Sequence, residues 1–218
     1  MAHNSNILNL NKKAWDNIAD KYEKHRPDWL EKPHPLFEFF CLNLPRDSYV
    51  LDIGSGTGLP NAKLLIQKGF KVLGIDISNE MIKVAQKNVP RAQFIQLSMT
   101  DLSYEKMFEG VISSFSMLHL EPKQFKSVAK RIIRALKKDG IFFLLLNEPL
   151  GEDGDIDETY ETIIEIMGQK MYSRPYYESE VVNIFNPLGM KLIKTYREIQ
   201  VSELFGEEHT LSFVFKKS

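Results

Sequence analysis

Short apolar runs alternate with stretches of helical spacing along most of this chain. Tyr49–Ile53, Lys71–Ile75, Gln93–Leu97, Gly110–Ser114 and Ile141–Leu146 read as strands, the last apolar throughout, as in a sheet covered on both faces. Between them, Asn61–Lys68 reads as a helix stopped by Gly69, and Asn79–Asn88 as a helix behind Ser78, a good N-cap. Pro122 opens another, with Phe125, Val128, Ala129, Ile132, Ile133 and Leu136 at helical steps and Lys137 and Lys138 suited to its C-terminal dipole. Upstream, residues 9–25 read as an amphipathic helix with Trp15, Ile18, Ala19 and Tyr22 on one stripe. His34–Asn43 reads as a second, ended by Pro45, and the two are expected to cap one side of the sheet. Downstream, Ile163, Ile164, Ile166 and Met167 predict a lid helix over Thr162–Met171, and Glu178–Phe185 a further helix ended by Asn186-Pro187-Leu188-Gly189. Met190–Gln200 and His209–Phe215 close the chain as strands. No helix separates them, so they pair antiparallel, whereas the five earlier strands alternate with helices and lie parallel.

At 218 residues and 43% hydrophobic, the chain can bury one sizeable core, and one domain is expected. A formal net charge of −1 gives no electrostatic reason to expect nucleic acid or an anionic membrane. There is no signal peptide and no apolar run long enough to span a bilayer, and the one cysteine, Cys41, sits in an apolar helical stretch; a cytoplasmic protein is expected. The acidic run Glu152, Asp153, Asp155, Asp157, Glu158 and Glu161 reads as a solvated loop, and no metal is expected.

The chemistry concentrates after the first strand, in Asp52-Ile53-Gly54-Ser55-Gly56-Thr57-Gly58-Leu59-Pro60. A glycine turn between strand and helix is where α/β folds hold nucleotide-like ligands. The dinucleotide fingerprint G-x-G-x-x-G would need glycine at position 59, which is Leu59, and no Gly-Lys-Ser/Thr follows to make a P-loop. The second strand ends at Asp76, about twenty residues on, where an acid accepts hydrogen bonds from ribose hydroxyls. No Arg or Lys lies in the turn, so a nucleoside is expected rather than a pyrophosphate.

Asp52-x-Gly54-x-Gly56-x-Gly58 followed by Asp76 resembles the class I S-adenosylmethionine-dependent methyltransferases, and the resemblance runs from roughly Trp15 to Phe215. It implies a Rossmann-like, doubly wound sheet of seven strands, mostly parallel, with a terminal antiparallel pair and helices on both faces. It divides the domain into a helical cap (1–45), a cofactor-binding core (46–148), a lid and substrate segment (149–177) and a closing helix and strands (178–218). The cofactor implied is S-adenosyl-L-methionine, with S-adenosyl-L-homocysteine as product. The resemblance puts Ile77 and Met81 beside the adenine, and Phe115 at the opening of the loop that passes under the methionine moiety. Tyr22 falls near the methionine end, where packing of its own helix is an equal role. The family's acid for the adenine amino group is replaced by Ser98 followed by Met99, so either Asp101 reaches that group, or Ser98 does with the Met99 amide serving the ring.

For the acceptor, His119 can take a proton from a hydroxyl or amine, with a structural role as its rival. Glu148 follows the fifth strand and can orient a substrate or act as base, or simply face solvent. The resemblance puts Arg26 on a carboxylate, for which a guanidinium is the natural partner, with a plain surface position as its rival. Tyr172, Arg174 and Tyr176 form an aromatic stretch with one cation, suited to a small and anionic molecule, or to stapling the next helix. The loop after the fourth strand has no Pro-Pro-aromatic run, which disfavours nucleic-acid amino methylation, and no cysteine for a covalent route. The expected function is methyl transfer to a small molecule by in-line displacement. Its alternatives are a nicotinamide-dependent oxidoreductase, weakened by Leu59 and by the lack of a Tyr-x-x-x-Lys pair, and a non-catalytic binding protein on the same fold.

Overall fold

The computed structural model describes residues 2–25, 34–149 and 163–218. In chain order its helices are α1 (Ala2–His25), α2 (Pro35–Leu42), α3 (Asn61–Gln67), α4 (Asn79–Asn88), α5 (Pro122–Ala135) and α6 (Glu178–Phe185). Its strands are β1 (Tyr49–Ile53), β2 (Lys71–Asp76), β3 (Gln93–Gln96), β4 (Phe108–Ser114), β5 (Leu136–Asn147), β6 (Ile163–Ile166), β7 (Gln169–Tyr172), β8 (Met190–Ser202) and β9 (Gly206–Lys217). A seven-stranded sheet runs in the order β3-β2-β1-β4-β5-β9-β8. The first five strands are parallel, and β9 pairs antiparallel with both β5 and β8.

Side chains alternate across β5, and both faces are covered over Ile141–Leu146, which explains why that stretch is apolar at every position. Phe142, Leu144 and Leu146 pack with Phe125, Val128 and Ile132 of α5 and with Phe185 of α6. Ile141, Phe143 and Leu145 pack on the opposite side with Phe37 and Phe40 of α2, Leu65 of α3 and Ile82 of α4. Register aligns the carboxyl ends: Ile53 lies opposite both Ile75 and Ser113, and Ser114 opposite Leu145. The glycine turn, Asp76, the loop after β4 and Asn147 therefore emerge along one edge.

The predicted lid helix is a β-hairpin, β6–β7, with Met167 (φ 51°) and Gly168 (φ 79°) as its two-residue turn. Two consecutive positive φ angles are what a type I′ turn requires, and the β-branched run Ile163, Ile164 and Ile166 favours a strand over a helix. Lys137 and Lys138 lie in β5, not in the last turn of α5. Leu136 is already extended and pairs with Phe108, and Lys137 is ion-paired with Glu109. Of the two N-terminal helices, α2 covers the sheet. In contrast, α1 lies beside the β6–β7 hairpin, where Ala14 and Ile18 pack on Ile166 and Met171. The β8–β9 hairpin is longer than its apolar pattern predicts, and Leu204 and Phe205 at its tip join that small cluster. No helix among the described residues is long and apolar enough to cross a membrane.

Gly110 on β4 is where α2 sits tightest on the sheet: a Cβ there would lie 2.9 Å from Phe40 Cζ and 3.0 Å from a Leu44 methyl. Gly110→Ala should lower unfolding stability by about 1–3 kcal/mol through this overpacking. Urea titration checks it, and an unchanged midpoint would mean that α2 shifts without cost.

Candidate active site

A cavity opens at the carboxyl edge, floored by the glycine turn and roofed by α1, the β6–β7 hairpin and the tip of β8–β9. Its floor depends on two glycines for different reasons. Gly54 (φ 65°) has no room for a side chain, since a Cβ would fall 2.2 Å from Ser116 Cβ. Ser116 is held there by donating to Ile53 O at 2.7 Å and by its contact with Ser113 Oγ at 2.7 Å. Gly56 (φ 51°) faces open space in the cavity, and its amide donates to Asp76 Oδ2 at 2.9 Å. Gly58 does not line the cavity. It is the close-packing point of β1–α3 against Phe94 and Val89.

Asp76 does line it, and its second oxygen accepts from Ser78 N at 2.8 Å. Burial pushes the Asp76 carboxyl up to about 6, against the pull of those amides. Asp52 lies behind the turn, 2% exposed, and burial together with the charge of Asp76 pushes it up to about 7. Asp52 Oδ2, Ser55 Oγ and Thr57 Oγ1 are buried with no hydrogen-bond partner among the described residues, and Ser55 and Thr57 belong to the cavity wall.

Ile77, Met81, Leu97, Ser98 and Met99 form one side wall. Ser98 Oγ is engaged with Thr100, as the cap of the short turn Met99–Asp101. That turn carries Asp101 outward to an exposed position off the wall, so of the two alternatives for the adenine contact only Ser98 and Met99 border the cavity. From α1 come Leu8, Asn11, Trp15 and Tyr22. Asn11 is 3% exposed; its amide donates to His119 O (3.1 Å) and Tyr172 O (3.2 Å) and accepts from Tyr172 N (2.7 Å).

His119 and Phe115 also line the cavity. The His119 ring lies edge-on to Trp15, and its Nδ1 is 2.7 Å from Tyr172 O. A carbonyl can only accept, so Nδ1 carries the hydrogen and Nε2 the lone pair. Burial holds the ring down at about 4, so it is neutral at pH 7.

Several expected acceptor residues are placed elsewhere. Glu148 is off the wall, in a bidentate ion pair with Arg197, whose guanidinium also reaches Glu178 at 2.7 Å. Arg174 is bound to Glu180 at 2.8 Å and lies 4.4 Å from the centroid of the Tyr176 ring. Tyr176 is 1% exposed, packs on Phe125 and donates to Leu120 O. Tyr172 meets the site through its backbone, which bonds Asn11 and His119. Arg26 and the acidic run 152–161 lie outside the described residues. Conversely, Asn11, Ser55, Thr57, Asn147 and Glu208 line the cavity without having stood out in the sequence, and Trp15 lines it as well as packing its helix. Ser55 and Thr57 lie within the glycine turn and Asn147 closes an apolar strand at the ligand-binding edge, whereas Asn11 and Glu208 carried no local signal for this.

Residues 50–140 match the family model described as a methyltransferase domain. Over this stretch, under half of the chain, the core is similar to a methyltransferase domain. A putative methyltransferase of Bacillus subtilis, YqeM, is 35% identical over 105 residues, 45% of this chain and 42% of that protein. The chain thus spans under half the length of the first curated relatives it matches. An uncharacterized protein of Methanocaldococcus jannaschii, MJ1123, is 26% identical over 88% of this chain and 94% of its own length. Among solved structures, the 1,6-didemethyltoxoflavin-N1-methyltransferase of Burkholderia thailandensis, with bound S-adenosylhomocysteine, shares the fold at a TM-score of 0.69. It is 21% identical, covering 94% of this chain and 87% of that one.

The buried acids of this core make a pH prediction. A carboxyl raised above its unfolded value binds protons more tightly in the native state, so its ionisation costs stability as pH rises from about 4 through about 7. Asp52→Asn removes that cost. The variant should gain stability relative to the parent between pH 4 and pH 8, by on the order of 3 kcal/mol. Urea unfolding across that range checks the sign; a constant difference would show Asp52 to be ionised and satisfied throughout.

Proposed function

We propose that this chain transfers the methyl group of S-adenosylmethionine to a small-molecule acceptor. The observation that carries the reading is Asp76 on the wall of a roofed cavity, one oxygen tied to the glycine turn and the other to the start of α4. The site fits the cofactor. Asp76 supplies acceptors for ribose hydroxyls, and the open space over Gly56 is space that a Cβ would take. The unpartnered hydroxyls of Ser55 and Thr57 supply further polar contacts. Ile77, Met81, Leu97 and Met99 offer apolar surface to an adenine, with Ser98 at its edge, and Tyr22 and Phe115 stand for the methionine end.

When bound, the sulfonium supplies an activated methyl, and the protein's contribution is mainly to hold the reactants in line. Trp15, the β6–β7 hairpin and Phe205 exclude water from above. His119 Nε2 faces the reaction as a neutral acceptor: it orients the nucleophile's O–H or N–H, and its low basicity makes it a positioning group more than a store for the proton. The small-molecule acceptor is supported by the roof over the cavity and by the Burkholderia neighbour, whose structure holds 1,6-didemethyltoxoflavin beside S-adenosylhomocysteine.

Calorimetric titration with S-adenosylhomocysteine, with NADH and NADP⁺ as comparators, tests the reading. The homocysteine compound alone should bind, and Asp76→Ala should weaken it by about 1–3 kcal/mol through lost charged hydrogen bonds. Affinity in the parent should also fall on acidification below about 6, where Asp76 takes up a proton and loses acceptor capacity. Binding of a nicotinamide instead, or an Asp76→Ala variant of unchanged affinity, would overturn the assignment. Release of S-adenosylhomocysteine in a screen of small acceptors separates the enzyme from a non-catalytic binder.

A further inference from the structure

The part of the cavity beyond the glycine turn has a chemical bias that bears on the acceptor. Asn147, the last residue of β5, and Glu208, on β9, line it together, and Asn147 Nδ2 donates to Glu208 Oε1 at 2.7 Å. That bond sets the amide's orientation. Its NH₂ is turned to the carboxylate, so Oδ1 is the atom left over, and Oδ1 is buried without a partner among the described residues. His119 adds Nε2, a third acceptor. The amide of Asn11, a donor, is already spent on His119 O and Tyr172 O.

No Arg or Lys joins these groups on the described wall, whose only carboxylates are Asp76 and Glu208. Two guanidiniums near this edge are neutralised elsewhere, Arg174 by Glu180 and Arg197 by Glu148 and Glu178. An anionic substrate would add negative charge to a partly buried site that already carries two carboxylates and offers no cation among the described residues, which is costly at low dielectric. A substrate with hydrogens to donate would satisfy Asn147 Oδ1 and the remaining lone pairs of Glu208 in charge-assisted bonds.

We propose that Asn147 and Glu208 select a nitrogenous acceptor, neutral or cationic, that presents N–H donors (an amine, amidine or N–H heterocycle), and that they exclude carboxylates and phosphates. Leu120, Ile166 and Phe205 give its apolar part a wall to lie against. The inference replaces the anionic molecule expected from Arg174, and it rests on the methyl-transfer reading of the cavity.

The test uses two probes of the same shape and opposite charge, benzamidine and benzoate, titrated at pH 8 into protein saturated with S-adenosylhomocysteine. Benzamidine should bind at least tenfold tighter than benzoate. Glu208→Gln should weaken benzamidine about tenfold and leave S-adenosylhomocysteine affinity within twofold, which also reports that the variant is folded. Benzoate binding as tightly as benzamidine, no saturable benzamidine binding at millimolar concentration, or a folded Glu208→Gln variant with unchanged benzamidine affinity would each overturn the proposal. Should Glu208→Gln fail to fold, the comparison of the two probes on the parent protein still decides. Failure of S-adenosylhomocysteine to bind the parent overturns the methyl-transfer reading itself, whereas its binding without discrimination between the probes overturns only the acceptor class.

Discussion

One hydrogen-bonded chain ties the floor of the cavity to its roof. Asp76 accepts from the Gly56 amide and from the Ser78 amide; Ser78 Oγ caps α4 by accepting from Met81 N and donates to Asp16 on α1 at 2.7 Å. Asp16 is held in turn by Lys12, and it accepts a further bond from Glu80 N. At the other end of α4, Asn88 repeats the device, donating to Glu23 of α1 and to Thr57 O of the glycine turn. The turn, the second strand, α4 and α1 are thus one polar network. Between Asp76 on the cavity wall and α1 in the roof, the links are Ser78 and Asp16, side chains off the wall.

Close to one carboxyl of that network, Asp76, lies a second buried carboxyl, Asp52, whose cost of ionisation the charge of Asp76 raises. Asp52 and Asp76 both ionise reluctantly, because they are buried and no side-chain cation is paired with either among the described residues. Two backbone amides offset part of the cost at Asp76, but Asp52 Oδ2 and the hydroxyls of Ser55 and Thr57 have nothing. Buried polar groups are normally satisfied, so a group of unsatisfied ones around a glycine turn marks a place where a ligand completes the hydrogen bonding. The same logic extends to Asn147 Oδ1 at the far end. Asp76 and Glu208 set two carboxylates into a wall that is otherwise largely apolar.

What could be read from the sequence is what local spacing determines. Ser78 as the cap of α4, Asp76 at the end of β2 and the left-handed glycines between β1 and α3 each follow from a few neighbouring residues. The β6–β7 hairpin was misread because Ile163, Ile164, Ile166 and Met167 satisfy helical spacing as well as a strand does; the deciding residue is Gly168, which completes a turn of two positive φ angles. Glu148 and Arg174 looked free for a substrate because their partners are brought by tertiary structure, Arg197 from β8 and Glu180 from α6. Glu208 is the converse case. Nothing in Glu207-Glu208-His209 distinguishes it from a solvated loop, and it reaches the cavity only because β9 pairs with β5, setting Thr210 opposite Asn147.

The roof rests on the smallest of the three apolar clusters among the described residues. The sheet is sandwiched by extensive apolar clusters, whereas α1 meets the β6–β7 hairpin through little more than Ala14, Ile18, Ile166 and Met171. Local stability follows buried apolar surface, so segments with little of it open first. What compensates is polar and specific: Asn11 clasps the backbone of Tyr172 from both sides, and Asn17 donates to Gln169 at 2.8 Å. Hydrogen bonds of this kind are individually worth about 1 kcal/mol and re-form readily in water. A site that must admit a cofactor and an acceptor and then exclude solvent needs a cover of that description, fastened by geometry at low cost in stability. Because Asn11 and Trp15 both contact His119, fastening the cover also sets the imidazole that faces the acceptor. The placement of α1 and the orientation of His119 are therefore fixed together in this architecture.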